Sequence, residues 1–406
     1  MASVPTCQPW TVPLFLPFRA LRYSKHHDLQ SVTAPPYDVL NAQDRLEFAA
    51  RDEHNIVHVD LPVGDDPYVQ AADRLRRWRS SGVLILDERP SFTLYRMRFR
   101  DDNGQTRETV GVIGALEVVD EGSDGVLPHE RTTPKAKTDR LDLTRATQAN
   151  LSPVWGLSLR EQLTDALVAP GDPVGEMVDE RGVVHRVERI DSPARVRSIA
   201  SLVSSAPVLI ADGHHRYAVS RTYRDEMADT PLAEAARTTL TYVGELVQEQ
   251  LSISAIHRVY RAITINRLLD ELQLRFDVTP FTNSERIDAS IIAKMSNRGA
   301  LCLIDRRLNG WWLAPRPDAF PGSRDLDSDR LEVALRGVTH EVAYQHGFGE
   351  VMQLLEDGHA DAAVLIRPTG IDEIRKTADE RLLMPPKSTF FTPKLRTGLV
   401  IRSLAS

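Results

Sequence analysis

Two cysteines in 406 residues, Cys7 and Cys302, form no metal-ligand spacing and no disulfide framework. A chain so poor in cysteine is expected in a reducing compartment, and we expect this one in the cytoplasm. Long apolar runs are missing too: nowhere do about eighteen apolar residues follow one another, so no membrane partner is expected. The N-terminus, MASVPTCQPWTVPLFLPF, has no basic stretch ahead of an apolar core and does not read as a secretory leader. Nor is there a basic excess. Fifty Lys and Arg stand against fifty-seven Asp and Glu, a net charge of -7, so nucleic-acid binding would need a local patch. Scarcest among the charged residues is lysine. It occurs seven times, at 25, 135, 137, 294, 376, 387 and 394, and four of the seven fall in two short motifs. Where arginine is used almost everywhere else, such lysines suit places needing a compact point charge; chance clustering is the alternative.

What is present is an ordinary globular composition, 42% hydrophobic, able to bury a full core and long enough for two or three domains. TVPLFLPFRALRY, NIVHVDLPV, SFTLYRMRFR and ETVGVIGALEVVD read as short strands. YVQAADRLRRWRSSGVL has Val69, Ala72, Leu75 and Trp78 at helical spacing. Further on, SPARVRSIASLVSSAPVLIADGHHRYAVSRTYRDEMA predicts helix, strand, tight turn, helix. After Thr264 the texture is plainer: NRLLDELQLRF helical, ALCLIDRRLNGWWLAP a hairpin turning at Asn309-Gly310, DAAVLIRPT a strand. The fold class is mixed α and β. We expect a catalytic core over residues 1–263 and a C-terminal α+β module over 264–406, whose last segment closes on the site.

The most informative stretch is VLIADGHHRYAVSRTYRDE, residues 208–226. A buried strand running into Asp-Gly-His-His-Arg and then a helix points backbone N–H groups and a helix N-terminus at one place, which is an anion site. Gly213 permits a left-handed turn and close approach, Arg216 can grip a phosphate, and His214 or His215 can donate to phosphoryl oxygens or move a proton. Asp212 can hold Mg²⁺ or accept a substrate proton. The plainer alternative makes Asp212 a helix cap and leaves the histidines on the surface.

Three other motifs carry chemistry. TAPPYDVL ends a stiff turn with Tyr37 and Asp38; Asp38 suits a base or metal ligand, unless the prolines merely fix the chain's path. HERTTPKAKTDR gathers His129, Glu130, Lys135, Lys137 and Arg140, with Glu130 suited to a general base and the cations to charge neutralisation, against the alternative of a solvated charged loop. MPPKSTFFTPKLRTGL supplies Lys387, Ser388, Thr389 and Lys394, either packed across the site or a plain strand and loop.

The DGHHRYAV turn resembles the phosphate-binding turn of the sulfiredoxin and ParB-like superfamily, and its histidine form is similar to that of the free-serine kinases, which phosphorylate L-serine. Sulfiredoxin has a cysteine where this chain has His214, so its chemistry does not carry over. Nearly the whole chain, through APPYDV, HERTTPKAKTDRLDLTRATQANLSPVW, ADGHHRY and MPPKSTFFTPKL, resembles the DUF1015 family. The resemblance implies a ParB/sulfiredoxin-like core and phosphotransfer to a small hydroxyl metabolite, L-serine first, with Mg²⁺ and ATP, ADP or pyrophosphate as donor. A phosphatase acting on phosphoserine is the near alternative, and a ParB-like nucleotide switch or a metabolite sensor the more distant one. No Walker A loop or protein-kinase signature is present. The expected catalytic residues are Asp212, His214, His215, Glu130 and Asp38. Phosphate or nucleotide binding is expected of Gly213, Arg216, His129, Lys135, Lys137, Arg140, Lys387, Ser388, Thr389 and Lys394, and metal binding of Asp212. A small-molecule substrate is the expected partner, and a homodimer is compatible with the sequence.

Overall fold

The computed structural model describes residues 12–101, 104–128, 137–321, 326–385 and 387–405. The chain forms two compact units. The first runs to Ser252 and takes the chain back from Pro393, while the second is Ile253–Thr392. The sequence reading places the division after residue 263. Here the strand Ile256–Arg261 is hydrogen-bonded within the second unit's sheet, which draws the chain from Ile253 onward into that unit.

Among the described residues, nine strands build the first unit's sheet. From one edge the order is Val126–Pro128, Val208–Asp212, Val154–Ser158, Thr238–Glu245, Thr106–Glu117, Phe92–Arg100, Val184–Ile190 and Asp172–Val178, with Phe15–Leu16 also on Thr106–Glu117. Two pairings are parallel, Val208–Asp212 with Val126–Pro128 and Thr238–Glu245 with Val154–Ser158; the others are antiparallel. One face packs on the helices Leu163–Val168 and Pro193–Val203 through Leu94, Val112, Ile199, Val203 and Val208. A second core joins the helices Ala42–Arg51, Pro67–Ser80 and Lys137–Thr147 to Leu21, Val32 and Ile401.

Two readings of this region change. NIVHVDLPV, expected as a strand, contains a helical turn, Val57–Asp60. The Asn55 carboxamide accepts from Val57 N at 3.0 Å and donates to Ser31 O and Thr33 O, so a side chain fixes the turn against β propensity. On the Pro67–Ser80 helix the buried face is Ala71, Leu75 and Trp78; Val69 is exposed, so the apolar stripe is rotated from the expected one.

Among its described residues the second unit carries a six-stranded antiparallel sheet in the order Phe276–Pro280, Gly310–Pro315, Leu301–Asp305, Ala362–Leu365, Ile256–Arg261, Glu341–His346. Alternate residues of its central strands feed opposite cores: Leu301, Leu303, Ala362 and Val364 one way, Cys302, Ile304, Ala363 and Leu365 the other. That two-sided burial explains the unbroken apolar run LCLI. The expected hairpin is present, but Asn309-Gly310 is not its tight centre. Positive φ falls on Leu308, and the Asp305 carboxylate ties back Arg307 N and Asn309 N.

Candidate functional site

The site begins where the apolar strand Val208–Asp212 runs out. A register shift between Ile210 and Asp212 breaks its ladder with Val154–Ser158 and sets Asp212 opposite Trp155. Irregularities of this kind re-aim side chains beside functional centres. One residue then turns the chain: Gly213, at φ 85° and ψ 27°, is the N-cap of the helix His214–Glu226. A side chain there would set Cβ 2.9 Å from Arg216 Nε, so both backbone conformation and space require glycine. The helix is fixed to the sheet by Tyr217, whose hydroxyl donates to Glu117 O and accepts from Val119 N, each at 2.9 Å.

Gly213 brings no side chain of its own to cap this helix. Asp212, the alternative cap, is instead clasped by two cations: Lys394 Nζ lies 3.3 Å from Oδ1, and Arg216 Nη2 donates to Oδ2 at 3.0 Å. Burial alone would raise the Asp212 carboxyl; Lys394, Arg216 and His214 outweigh it and hold the group well below the usual carboxylate range. His214 is buried and His215 half-buried. Lys394, from the chain's last segment, belongs to the first unit.

Arg216, expected to grip phosphate, is largely committed to the protein. Its Nη1 donates to Ser152 Oγ at 2.9 Å and to Pro153 O, and Nη2 also lies 4.0 Å from Asp38 Oδ2. Its Nε is buried and meets no acceptor among the described residues. A buried guanidinium donor left over in the first turn of a helix is one for which an oxyanion supplies the missing acceptor. Asp38 sits in the turn Tyr37–Val39 with 38% of its side chain exposed, 4.0 Å from Arg216.

A small cavity of roughly 50 Å³ adjoins Arg216, lined by polar residues such as Tyr37, Asp60, Arg140 and Ser152 and by apolar ones such as Leu143 and Leu151. Arg140, expected at the phosphates, is buried here and held by acids. Nη1 donates to Asp60 O at 2.6 Å and lies 3.3 Å from Asp60 Oδ1, Nε donates to Asp139 at 2.7 Å, and the guanidinium stacks 4.4 Å over the Tyr37 ring. Burial pushes the Asp60 carboxyl up while Arg140 and Arg216 pull it down, leaving it raised; burial takes Tyr37 to about 12. Sequence reasoning missed Asp60 because it lay within the supposed strand NIVHVDLPV. Ser152 lay unremarked in the NLSPVW motif, whose serine before proline was the available signal.

His129, Glu130 and Lys135 lie outside the described residues, and Lys137 is described only as the first residue of the Lys137–Thr147 helix. Lys387, Ser388 and Thr389 belong to the second unit. There the Lys387 carbonyl accepts from Arg258 at 3.1 Å, and the Ser388 hydroxyl donates to Pro385 O at 2.7 Å.

A family model described as "Protein of unknown function (DUF1015)" matches residues 15–333, well over half of the chain. The chain belongs to the DUF1015 family. Comparison with curated proteins gave no match. Among solved structures, this DUF1015 chain is similar to a conserved hypothetical protein from Pyrococcus furiosus, with 13% identity, a TM-score of 0.38, and 68% of this chain and 92% of that one covered. It is also similar to a free serine kinase in complex with AMP, at 12% identity and TM-score 0.38, covering 68% and 88%. A third is SbnI with a C-terminal truncation from Staphylococcus aureus, at 12% identity and TM-score 0.40, covering 71% and 87%. Among the described residues no helix is long and apolar enough to cross a membrane, and no three His, Cys, Asp or Glu gather as a metal ion would require.

Asp212 does not fit the expected magnesium ligand. Each of its oxygens already faces a cation, and a divalent ion there would meet Lys394 and Arg216 at close range.

Proposed function

We propose that this DUF1015 protein transfers a phosphoryl group to a small hydroxyl metabolite, free L-serine first, from ATP, ADP or pyrophosphate. The observation that carries the reading is the buried Arg216 Nε, which meets no acceptor among the described residues, in the first turn of the His214–Glu226 helix, with Lys394 against the neighbouring Asp212. The choice of serine comes from the resemblance of Asp-Gly-His-His-Arg to the turn of the free-serine kinases.

In this reading the transferring phosphoryl group lies against the N–H groups of His214 and His215, with the His214 and His215 rings as further donors and Lys394 offsetting the charge that develops on its oxygens. Asp212 serves as the anchor of Lys394 and Arg216. So strongly stabilised a carboxylate is a weak proton acceptor, which suits it poorly to the role of base. Asp38, more exposed and 4.0 Å from Arg216, is the better candidate. The acceptor oxygen bonds to phosphorus, the bond to the leaving phosphate oxygen breaks with its electron pair going to the leaving group, and the hydroxyl proton passes to Asp38.

Phosphorus NMR tests this. Protein with L-serine is supplied in turn with ATP and ADP as magnesium salts, then with pyrophosphate; phosphoserine alone is a further sample, and His215→Ala is the control. A new phosphomonoester signal that depends on one donor and is lost in His215→Ala is the expected result. Free phosphate from phosphoserine alone would select the phosphatase. Silence in every sample with nucleotide binding intact would overturn catalysis in favour of a nucleotide switch or metabolite sensor.

A further inference from the structure

Lys394 reaches Asp212 from a strap, residues 393–397, that enters the first unit with little regular structure of its own. A flexible four-carbon side chain on such a segment holds its charge in place only if the segment itself is fixed. The fixing point lies two residues on. Arg396 has 1% of its side chain exposed; its Nη1 donates to Glu180 Oε2 at 2.9 Å, its Nη2 to Thr33 O at 3.0 Å, and its guanidinium lies 5.4 Å over the Phe48 ring.

Its backbone is fixed as well. Arg396 N donates to the Tyr95 hydroxyl at 3.3 Å, and that hydroxyl stands 2.7 Å from His185 Nδ1, whose Nε2 is 3.0 Å from Asp179 Oδ2. The chain of bonds has one consistent proton order. Tyr95 accepts from Arg396 N–H and donates to Nδ1, so a neutral His185 donates through Nε2 to Asp179. The next residue, Thr397, forms a two-way bridge with Ala34, N to O at 2.8 Å and 3.3 Å, four positions before Asp38. The strap with Lys394 and the turn with Asp38 are thus tied together.

A packed path also runs back to the site. Asp212 stands opposite Trp155 across the strand pair; the Trp155 ring meets Tyr242 edge-on at 5.6 Å, and Tyr242 meets Tyr95 edge-on at 5.8 Å. The route from Asp212 through Trp155, Tyr242, Tyr95 and Arg396 to Lys394 closes on Asp212 again.

We infer that Arg396 is a positioning residue for the site: locked by Glu180, Thr33 and Tyr95, it sets the strap so that Lys394 stays against Asp212 and in register with Asp38. Its importance to turnover rests on the phosphotransfer reading; its control of Lys394 does not.

The test reads Lys394 directly. With seven lysines in the chain, ¹³C-dimethylated lysine signals can be followed one by one, and Lys394→Arg assigns the relevant one. Asp212→Asn gives the position that signal takes without its partner. In Arg396→Met the Lys394 signal is expected to move most of the way to that position, in Glu180→Gln to move less in the same direction, and in Arg396→Lys to return part of the way. On the transferase reading, kcat of Arg396→Met falls about tenfold with KM little changed. A Lys394 signal unmoved in both Arg396→Met and Glu180→Gln overturns the inference. If Arg396→Met fails to fold, Glu180→Gln decides alone, since Glu180 keeps 35% of its side chain exposed and its amide is nearly isosteric. Wild-type protein silent by phosphorus NMR, with the lysine signal still moving, would leave the strap inference standing and remove the function.

Discussion

Each unit contains a carboxylate held by arginine, half-buried in the first and buried in the second, and the two are finished differently. In the second unit Asp327 accepts from Arg367 N, Nε and Nη2 at 3.0, 2.9 and 2.6 Å, so both oxygens are taken and the pair is closed. In the first unit Asp212 is equally engaged, yet its arginine keeps a buried Nε that meets no acceptor among the described residues, in the first turn of the adjoining helix. Buried charge therefore does not by itself mark a functional site. What separates the two is donor capacity left unspent in a place shaped to receive an acceptor.

The largest expected effect breaks the symmetry outright. Lys394→Met removes the cation proposed to face the phosphoryl group and, on the transferase reading, should lower kcat on the order of 10²- to 10³-fold, as loss of one electrostatic donor commonly does, while moving the urea midpoint little. Arg367→Met should do the reverse. It strands the buried Asp327 carboxylate and costs about 2–3 kcal/mol of stability, with turnover per folded molecule preserved. Urea titrations and initial rates on the two variants separate the cases, and a Lys394→Met enzyme with normal kcat would remove Lys394 from the chemistry.

Acid should separate the units next. His257 in the second unit is buried, its Nδ1 accepts from Ile366 N at 3.2 Å, and burial followed by the nearby Arg258 lowers its pKa to about 4. The unfolded chain binds this proton below about 6.5 and the folded chain does so only below about 4. Stability from this group is therefore complete above pH 6.5 and falls as the pH drops toward 4, by up to about 3 kcal/mol. His185 in the first unit is lowered by burial as well, but Asp179 opposes the shift, so its loss should be smaller. Asp212 adds nothing in this window: its folded pKa is depressed, so its contribution is kept until the pH falls below the unfolded carboxylate value. Urea midpoints at pH 7, 5.5 and 4.5 should show the second unit weakening first, and His257→Asn, which keeps an acceptor near Ile366 N, should flatten the trend.

How far the sequence disclosed this arrangement depended on whether the signal was local. The strand, glycine and helix of VLIADGHHRYAV were legible because burial, left-handed backbone and helix onset follow one another along the chain. Lys394 was legible because lysine is rare here and so stands out. Asp60 was hidden, since alternating Val and His imitated a strand where a single carboxamide, Asn55, imposes a helical turn. Arg396 was hidden for a different reason: one arginine among forty-three carries no mark, and its partners Thr33, Tyr95 and Glu180 are scattered over the chain. Arg140 shows the opposite failure. A cation in a charged motif read as a ligand-holder, but the fold spends it on Asp60 and Asp139.

The smallest expected effect isolates backbone from site. Gly299 ends the Ile291–Arg298 helix at φ 64°, and a Cβ there meets nothing within 4 Å, so Gly299→Ala bears the left-handed strain alone, about 1 kcal/mol. Gly213→Ala bears the same strain and also places Cβ 2.9 Å from Arg216 Nε. That guanidinium has little freedom to retreat, because Nη1 is tied to Ser152 and Pro153 and Nη2 to Asp212. The excess loss in Gly213→Ala over Gly299→Ala thus measures how firmly Arg216 is fixed. An excess near zero in paired urea titrations would mean that the guanidinium moves freely, and a mobile guanidinium would not keep Nε waiting for an oxyanion.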